Sequence, residues 1–154
     1  MKAKIPNLTL STDIIVGFPG ETEEEFQSLK DFLQHQRLDH VGIFTFSCEE
    51  GTPAYDLPDQ VDEDTMQERY HELMSIQSLI SQQINESLEG KTLDILIEGR
   101  DEEVSNIAAG RSYREAPEVD GQIYIEGDRK SKPGDIIKAK IVAGFVYDLA
   151  ARMV

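Results

Sequence analysis

Residues 12–26, TDIIVGFPGETEEEF, read as one strand, one glycine-rich turn and the start of one helix. Ile14, Ile15 and Val16 form a β-branched run without alternation. Such a run suits a strand covered on both faces, as in parallel α/β sheets. Gly17, Pro19 and Gly20 break the strand, because Gly20 can take a positive φ and Pro19 fixes its own. Thr22 and Glu25 make a T-x-x-E capping box, which predicts a helix from about Glu23. Glu23, Glu24 and Glu25 then lie where the helix dipole favours anions. The turn lacks the G-x-x-x-x-G-K-S/T phosphate loop, and the acidic cluster behind it repels phosphate. A ligand at the carboxyl end of this strand would meet backbone groups rather than bulky side chains.

Outward from this stretch, the strand is expected over residues 8–16 and the helix over 23–35. Phe26, Leu29, Phe32 and Leu33 repeat at the spacing of a core-facing stripe. Residues 41–47, VGIFTFS, read as a second strand, rich in β-branched and aromatic residues. Strand, helix and strand joined by short links make a βαβ unit. Residues 56–64 form a polar, proline-containing linker, with Asp64 as the expected cap of a long helix over 65–89. Met66, Tyr70, Leu73, Ile76, Ile80, Ile84 and Leu88 give that helix one apolar stripe, widened by Met74 and Leu79. Gly90 stops it.

From Lys91 the period becomes that of strands. Five are expected, over residues 92–98, 103–112, 122–126, 135–142 and 145–149, with turns at 99–102, 116–121, 127–134 and 143–144. Five short strands in so few residues predict a small closed, all-β, OB-like barrel. The domains are therefore drawn as 1–89 and 90–154. A domain rarely begins so close to a buried strand, so more chain is expected ahead of Met1.

The 154 residues carry 30 Asp plus Glu against 15 Lys plus Arg, a net charge of −15. The imbalance is uneven: residues 1–87 hold 17 acids and 5 bases, residues 88–154 hold 13 and 10. A general nucleic-acid binder would show a basic footprint, which is missing overall; a basic protein partner is easier to accommodate. Cys48 is the single cysteine, so no disulfide closes within the chain and no cysteine cluster can hold iron–sulfur or zinc. No apolar run reaches transmembrane length and no signal peptide is present, which predicts a cytoplasmic protein. His35, His40 and His71 are too scattered to suggest a metal site, and Cys48, beside Glu49 and Glu50, reads as a passive side chain.

TDIIVGFPGETEEEF together with VGIFTFSCEEGTPAY (residues 41–55) resembles the late part of the barrel in radical S-adenosylmethionine (SAM) methylthiotransferases. GRSYREAPEVDGQIYI (residues 110–125) resembles the C-terminal TRAM domain of the RimO-type branch. The resemblance implies an α/β segment of a partial (βα)6 radical SAM barrel, followed by a five-stranded TRAM barrel. It implies a transferase that adds a methylthio group to an aspartate of a small-subunit ribosomal protein, with SAM and two four-iron four-sulfur clusters as cofactors of the full-length enzyme. The sister branch, the MiaB type, modifies an adenosine of tRNA; a stand-alone TRAM module that binds RNA or protein is the reading from a different class. Clusters need thiolate ligands, so this chain alone is expected to hold none and to be inactive.

What the resemblance leaves here is part of a SAM wall. Against the family's G-x-I-x-G-x-x-E pattern, Ile15 and Gly17 match, Asp13 and Gly20 depart, and Glu21 comes one place late, so no role is carried to it. Ile15 is implied to pack on adenine, and Phe46 to offer backbone hydrogen bonds; plain core packing is the competing reading for both. In the barrel, Arg111, Arg114, Arg129, Lys130 and Lys132 form two basic groups, with Tyr113 and Tyr124 nearby in sequence. They are a candidate rim for substrate, with Arg111, Arg114, Lys130 and Lys132 named as its contacts; solvated turn charges are the alternative. The expected partner is a basic small-subunit ribosomal protein, then RNA, with no membrane.

Overall fold

The computed structural model describes residues 4–5, 7–100, 107–128 and 130–154. The chain divides into two compact units, Met1–Ile80 and Ser81–Val154. In the first, strands β1 (Ser11–Val16) and β2 (His40–Thr45) pair in parallel around helix α1 (Glu23–Gln36). Register runs from Ser11 opposite His40 to Val16 opposite Thr45. Helix α2 (Glu63–Glu86) gives most of its length to this unit and its last turns to the second.

Local chemistry explains these elements. The Thr22 hydroxyl accepts from the Glu25 N–H while the Glu25 carboxylate accepts from the Thr22 N–H, a closed capping box. Arg37 ends α1 in the left-handed conformation, its N–H donating to the Leu33 carbonyl. The cap of α2 is Asp62, not Asp64: its carboxylate accepts both the N–H and the hydroxyl of Thr65. Three positions separate Asp62 from Thr65, the reach a capping side chain needs, whereas Asp64 is already inside the first turn.

The core of this unit is Val16, Phe26, Leu33, Ile43 and Leu73, with Ile14, Leu29 and Tyr70 against it. Three expectations fail here. β1 begins at Ser11 rather than residue 8. The strand run is covered on one face only: Ile14 and Val16 turn inward, while Ile15 is 57% exposed beside its equally exposed register partner Phe44. A two-stranded sheet with both helices on one side leaves the other side open. Phe32 and Leu79 lie outside the core, since each falls on the flank of its helical stripe.

The second unit is a closed barrel of five strands in the order β3–β4–β5–β7–β6, with the expected strand number. The strands are β3 (Thr92–Arg100), β4 (Ile107–Arg111), β5 (Ile123–Glu126), β6 (Ile136–Gly144) and β7 (Leu149–Met153). Their inward residues Ile95, Ile97, Ala108, Ile123, Ile125, Ala139, Ile141, Leu149 and Ala151 fill the interior. Two turns were misplaced from sequence. Gly99 and Arg100 stay in β3 through a register shift after Ile97, and Ala143 and Gly144 stay in β6 through a shift after Ile141. The hairpin therefore turns at 145–148, closed by the Phe145 N–H on the Asp148 carbonyl, and β7 starts at Leu149 instead of ending there. Residues 103–106 of the expected second strand lie outside the described residues.

Candidate functional site

In the first unit, the sequence-predicted residues come together at the carboxyl ends of β1 and β2. Gly17 sits at φ +78°, where a Cβ would run into the Met66 side chain. Glycine is required there twice over, by backbone and by space. The Gly17 N–H donates to the Glu21 carboxylate at 3.2 Å. Gly20 is held from the other side, its N–H donating to the Asp59 carbonyl at 2.9 Å. The Phe46 N–H donates to the Val16 carbonyl at 2.8 Å, so that donor is taken. The Phe46 ring packs edge-on against Phe18 with centroids 5.3 Å apart. Ile15, Phe44 and Phe18 are exposed on or beside this corner, an apolar surface suited to the face of an aromatic ring.

Sequence reasoning missed the pair that holds the turn. Arg69 of α2 is buried and donates from Nη1 to the Glu21 carboxylate at 2.6 Å and to the Glu21 carbonyl at 3.2 Å. Nη2 reaches Glu23 at 3.4 Å, and the guanidinium lies 5.1 Å from the centre of the Phe26 ring. The signal was present: Arg69 is the one base between Arg37 and Lys91, and it falls on the apolar stripe between Met66 and Leu73. A charge on a buried stripe demands a partner.

In the barrel, the predicted cations come from different segments: Arg111 ends β4 beside the start of β5, whereas Lys130 and Lys132 lie in the loop between β5 and β6. Arg114 is buried at 6% exposure, against its expected place on the surface. The loop folds back on itself: Ser112 donates from N–H and hydroxyl to the buried Glu115 carboxylate, and the Arg114 N–H donates to the Ser112 hydroxyl. Arg111 pairs with Glu98 at 2.7 Å, Lys138 with Asp94 at 2.8 Å and Arg152 with Glu126 at 3.0 Å, which neutralises much of the cationic surface. Lys130 and Lys132 are exposed; Arg129 lies outside the described residues. Tyr113 is exposed and Tyr124 half-buried.

The loop bearing Lys130 and Lys132 is braced from within. Asp128 is 1% exposed and accepts the N–H groups of Lys130 and Ser131 at 3.0 Å each. Burial pushes its pKa up, but those hydrogen bonds and Arg100 outweigh it and hold the carboxyl below its ordinary 3.8. Arg100 donates to the Asp128 and Ser131 carbonyls at 2.8 and 2.6 Å. The turn at 132–135 has Pro133 before Gly134 at φ +96°, with the Asp135 N–H on the Lys132 carbonyl, a type II arrangement.

The TRAM domain family matches residues 90–154, the stretch that folds into this barrel. The C-terminal barrel belongs to the TRAM family. Similarity extends beyond the TRAM domain over the whole chain. It is 42% identical over 154 residues to the ribosomal protein uS12 methylthiotransferase RimO of Myxococcus xanthus, covering 100% of this chain and 32% of that protein. The RimO of a Nostoc species is 48% identical over 154 residues, with 100% and 34% covered, and that of Aquifex aeolicus 45% over 152 residues, with 99% and 35% covered. The resemblance to RimO-type methylthiotransferases thus runs from the α/β unit through the TRAM domain. The chain spans about a third of the length of the curated relatives it matches. Among the described residues no group of His, Cys, Asp and Glu is arranged to hold a metal ion, and no helix is long and apolar enough to cross a membrane.

Proposed function

We propose that this chain is the C-terminal part of a radical SAM methylthiotransferase of the RimO type, acting in the cytoplasm on an aspartate of a basic small-subunit ribosomal protein. The observation that carries the reading is similarity along the entire chain to proteins named for that activity. Residues 1–89 form the segment of the SAM barrel and residues 90–154, the TRAM domain, bind the substrate.

SAM would supply the radical and the clusters its electron and sulfur. With a single cysteine the chain does not provide a cluster's thiolates, and no step through a cluster is assigned to its residues. Toward SAM the fit is better. Ile15 and the Phe18–Phe46 pair offer apolar faces at the strand ends, and Gly17, at positive φ under the Met66 side chain, shapes the turn that carries Phe18. These residues bind and orient.

For the substrate, the net charge of −15 favours a basic polypeptide over RNA. Lys130 and Lys132, both exposed, and the half-buried Arg111 remain the candidates for contact; burial removes Arg114 from direct contact. The test is a side-by-side titration of the chain against tRNA and the ribosomal protein at two salt concentrations. Tighter binding to the protein at both supports the reading. Tighter binding to tRNA at both would replace it with the tRNA-modifying alternative, since phosphate contacts weaken steeply with salt. On its own the chain is expected to take up no stoichiometric iron on reconstitution and to cleave no SAM; a four-iron absorption band on the monomer would refute that.

A further inference from the structure

The turn at residues 17–20 is held only in part by its own sequence, through the Glu21 N–H on the Phe18 carbonyl at 2.9 Å and the Gly17 N–H on the Glu21 carboxylate at 3.2 Å. Gly17 and Gly20 both have positive φ, and glycines freeze at a high entropic cost. The remaining anchors come from residues far along the chain. Arg69, 48 positions after Glu21, grips the Glu21 carboxylate and carbonyl, and that same carboxylate accepts the Gly17 N–H. The ion pair is largely out of water, with side chains 8% and 13% exposed, where a charge-assisted hydrogen bond is strong and directional. Met66, one turn ahead of Arg69 on α2, closes over the Gly17 α-carbon.

From this geometry we infer that Arg69 and Glu21 are positioning residues for cofactor binding. Arg69 orients Glu21, Glu21 fixes the Gly17 peptide, and the fixed turn presents Phe18 and the end of β1 to adenine. Neither side chain touches the ligand. Arg69 is needed as arginine because it uses Nη1 and Nη2 on different oxygens, which a lysine point charge cannot reproduce. The inference rests on the SAM reading above.

The experiment has two arms. In this chain, amide exchange is followed by NMR at Gly17 and, as a control, at Leu33 inside α1. Arg69→Met and Glu21→Ala should each speed exchange at Gly17 by roughly tenfold, the loss of one charge-assisted bond, with Leu33 unchanged. Unchanged Gly17 exchange in both variants overturns the clamp. If Arg69→Met opens the whole unit, so that Leu33 rises with Gly17, Glu21→Gln decides: it keeps an acceptor oxygen but removes the ion pair. A rise at Gly17 alone supports the clamp and no rise overturns it.

In the full-length transferase carrying this segment, Arg69→Met should raise the KM for SAM by roughly tenfold while kcat stays within about twofold, with only partial recovery in Arg69→Lys. A wild-type enzyme that neither binds nor cleaves SAM refutes the cofactor reading. A wild-type that binds SAM, with KM unmoved in the variants, refutes the positioning role alone.

Discussion

Replacing Gly17 by alanine separates two costs that the structure assigns to one position. The residue sits at φ +78°, where an L side chain costs about 1–2 kcal/mol. Its added Cβ would also overlap Cγ and Sδ of Met66, and overpacking of this kind adds about 1–3 kcal/mol. Gly20 is the internal control. Its φ is +86°, yet a Cβ there meets nothing within 4 Å, so Gly20→Ala carries the backbone term alone. Urea unfolding of the first unit, followed by the helix signal, should place Gly17→Ala below Gly20→Ala by the overpacking term. With a slope near 1 kcal/mol per M for so small a unit, the midpoints should differ by about 1–3 M. Met66→Ala in the Gly17→Ala background should recover most of that difference, as coupled neighbours do. Equal losses in the two single variants would refute the close approach of Met66, and no loss in either would refute the positive φ.

Other consequences follow from named contacts. Asp128 has a lowered folded pKa, so its stabilising effect on the 127–134 loop is complete above the ordinary 3.8 and is lost as pH falls through the folded value. Amide shifts of Lys130 and Ser131 should therefore hold steady from neutral pH to about 4 and move below it, and Asp128→Asn should abolish that titration. Arg111→Glu breaks a half-exposed pair with Glu98 and should cost the barrel no more than about 1 kcal/mol. Arg114→Glu reverses the charge at a buried position and should lower the barrel's melting temperature far more, measured by calorimetry. Ile125→Ala, at a fully buried position, should cost about 2–5 kcal/mol in chemical unfolding of the barrel. Limited proteolysis should cut first in the exposed segment at 49–62, which a protected 49–62 with a digested barrel would contradict.

Where local chemistry decides, the sequence alone sufficed. The capping box of Thr22 and Glu25, the glycine break after Val16, the stripe of α2 and the β-period after Lys91 all operate within a few residues, and the two helices and first four barrel strands overlap their expected ranges. Boundaries failed where a partner strand or a distant group decides. β6 continues through Gly144 because β7 pairs across a register shift, which no local propensity encodes. Ile15 was read as covered because a β-branched run does not say how many layers pack on it; the sheet has helices on one side only.

The site divides in the same way. Ile15, Gly17 and Phe46 were named from the resemblance to the radical SAM barrel, and parallel pairing of β1 with β2 brings them to one corner. The cations of the barrel could not be sorted from sequence. Whether Arg111 faces Glu98, and whether Arg114 enters the loop of Ser112 and Glu115, depends on cross-strand register and loop closure. The Glu21–Arg69 pair joins residues 48 apart, and only the packing of α2 against the turn makes them neighbours. Local hydrogen bonding and hydrophobic period are written in adjacent residues; the pairing of buried charges is decided by which elements the fold lays side by side.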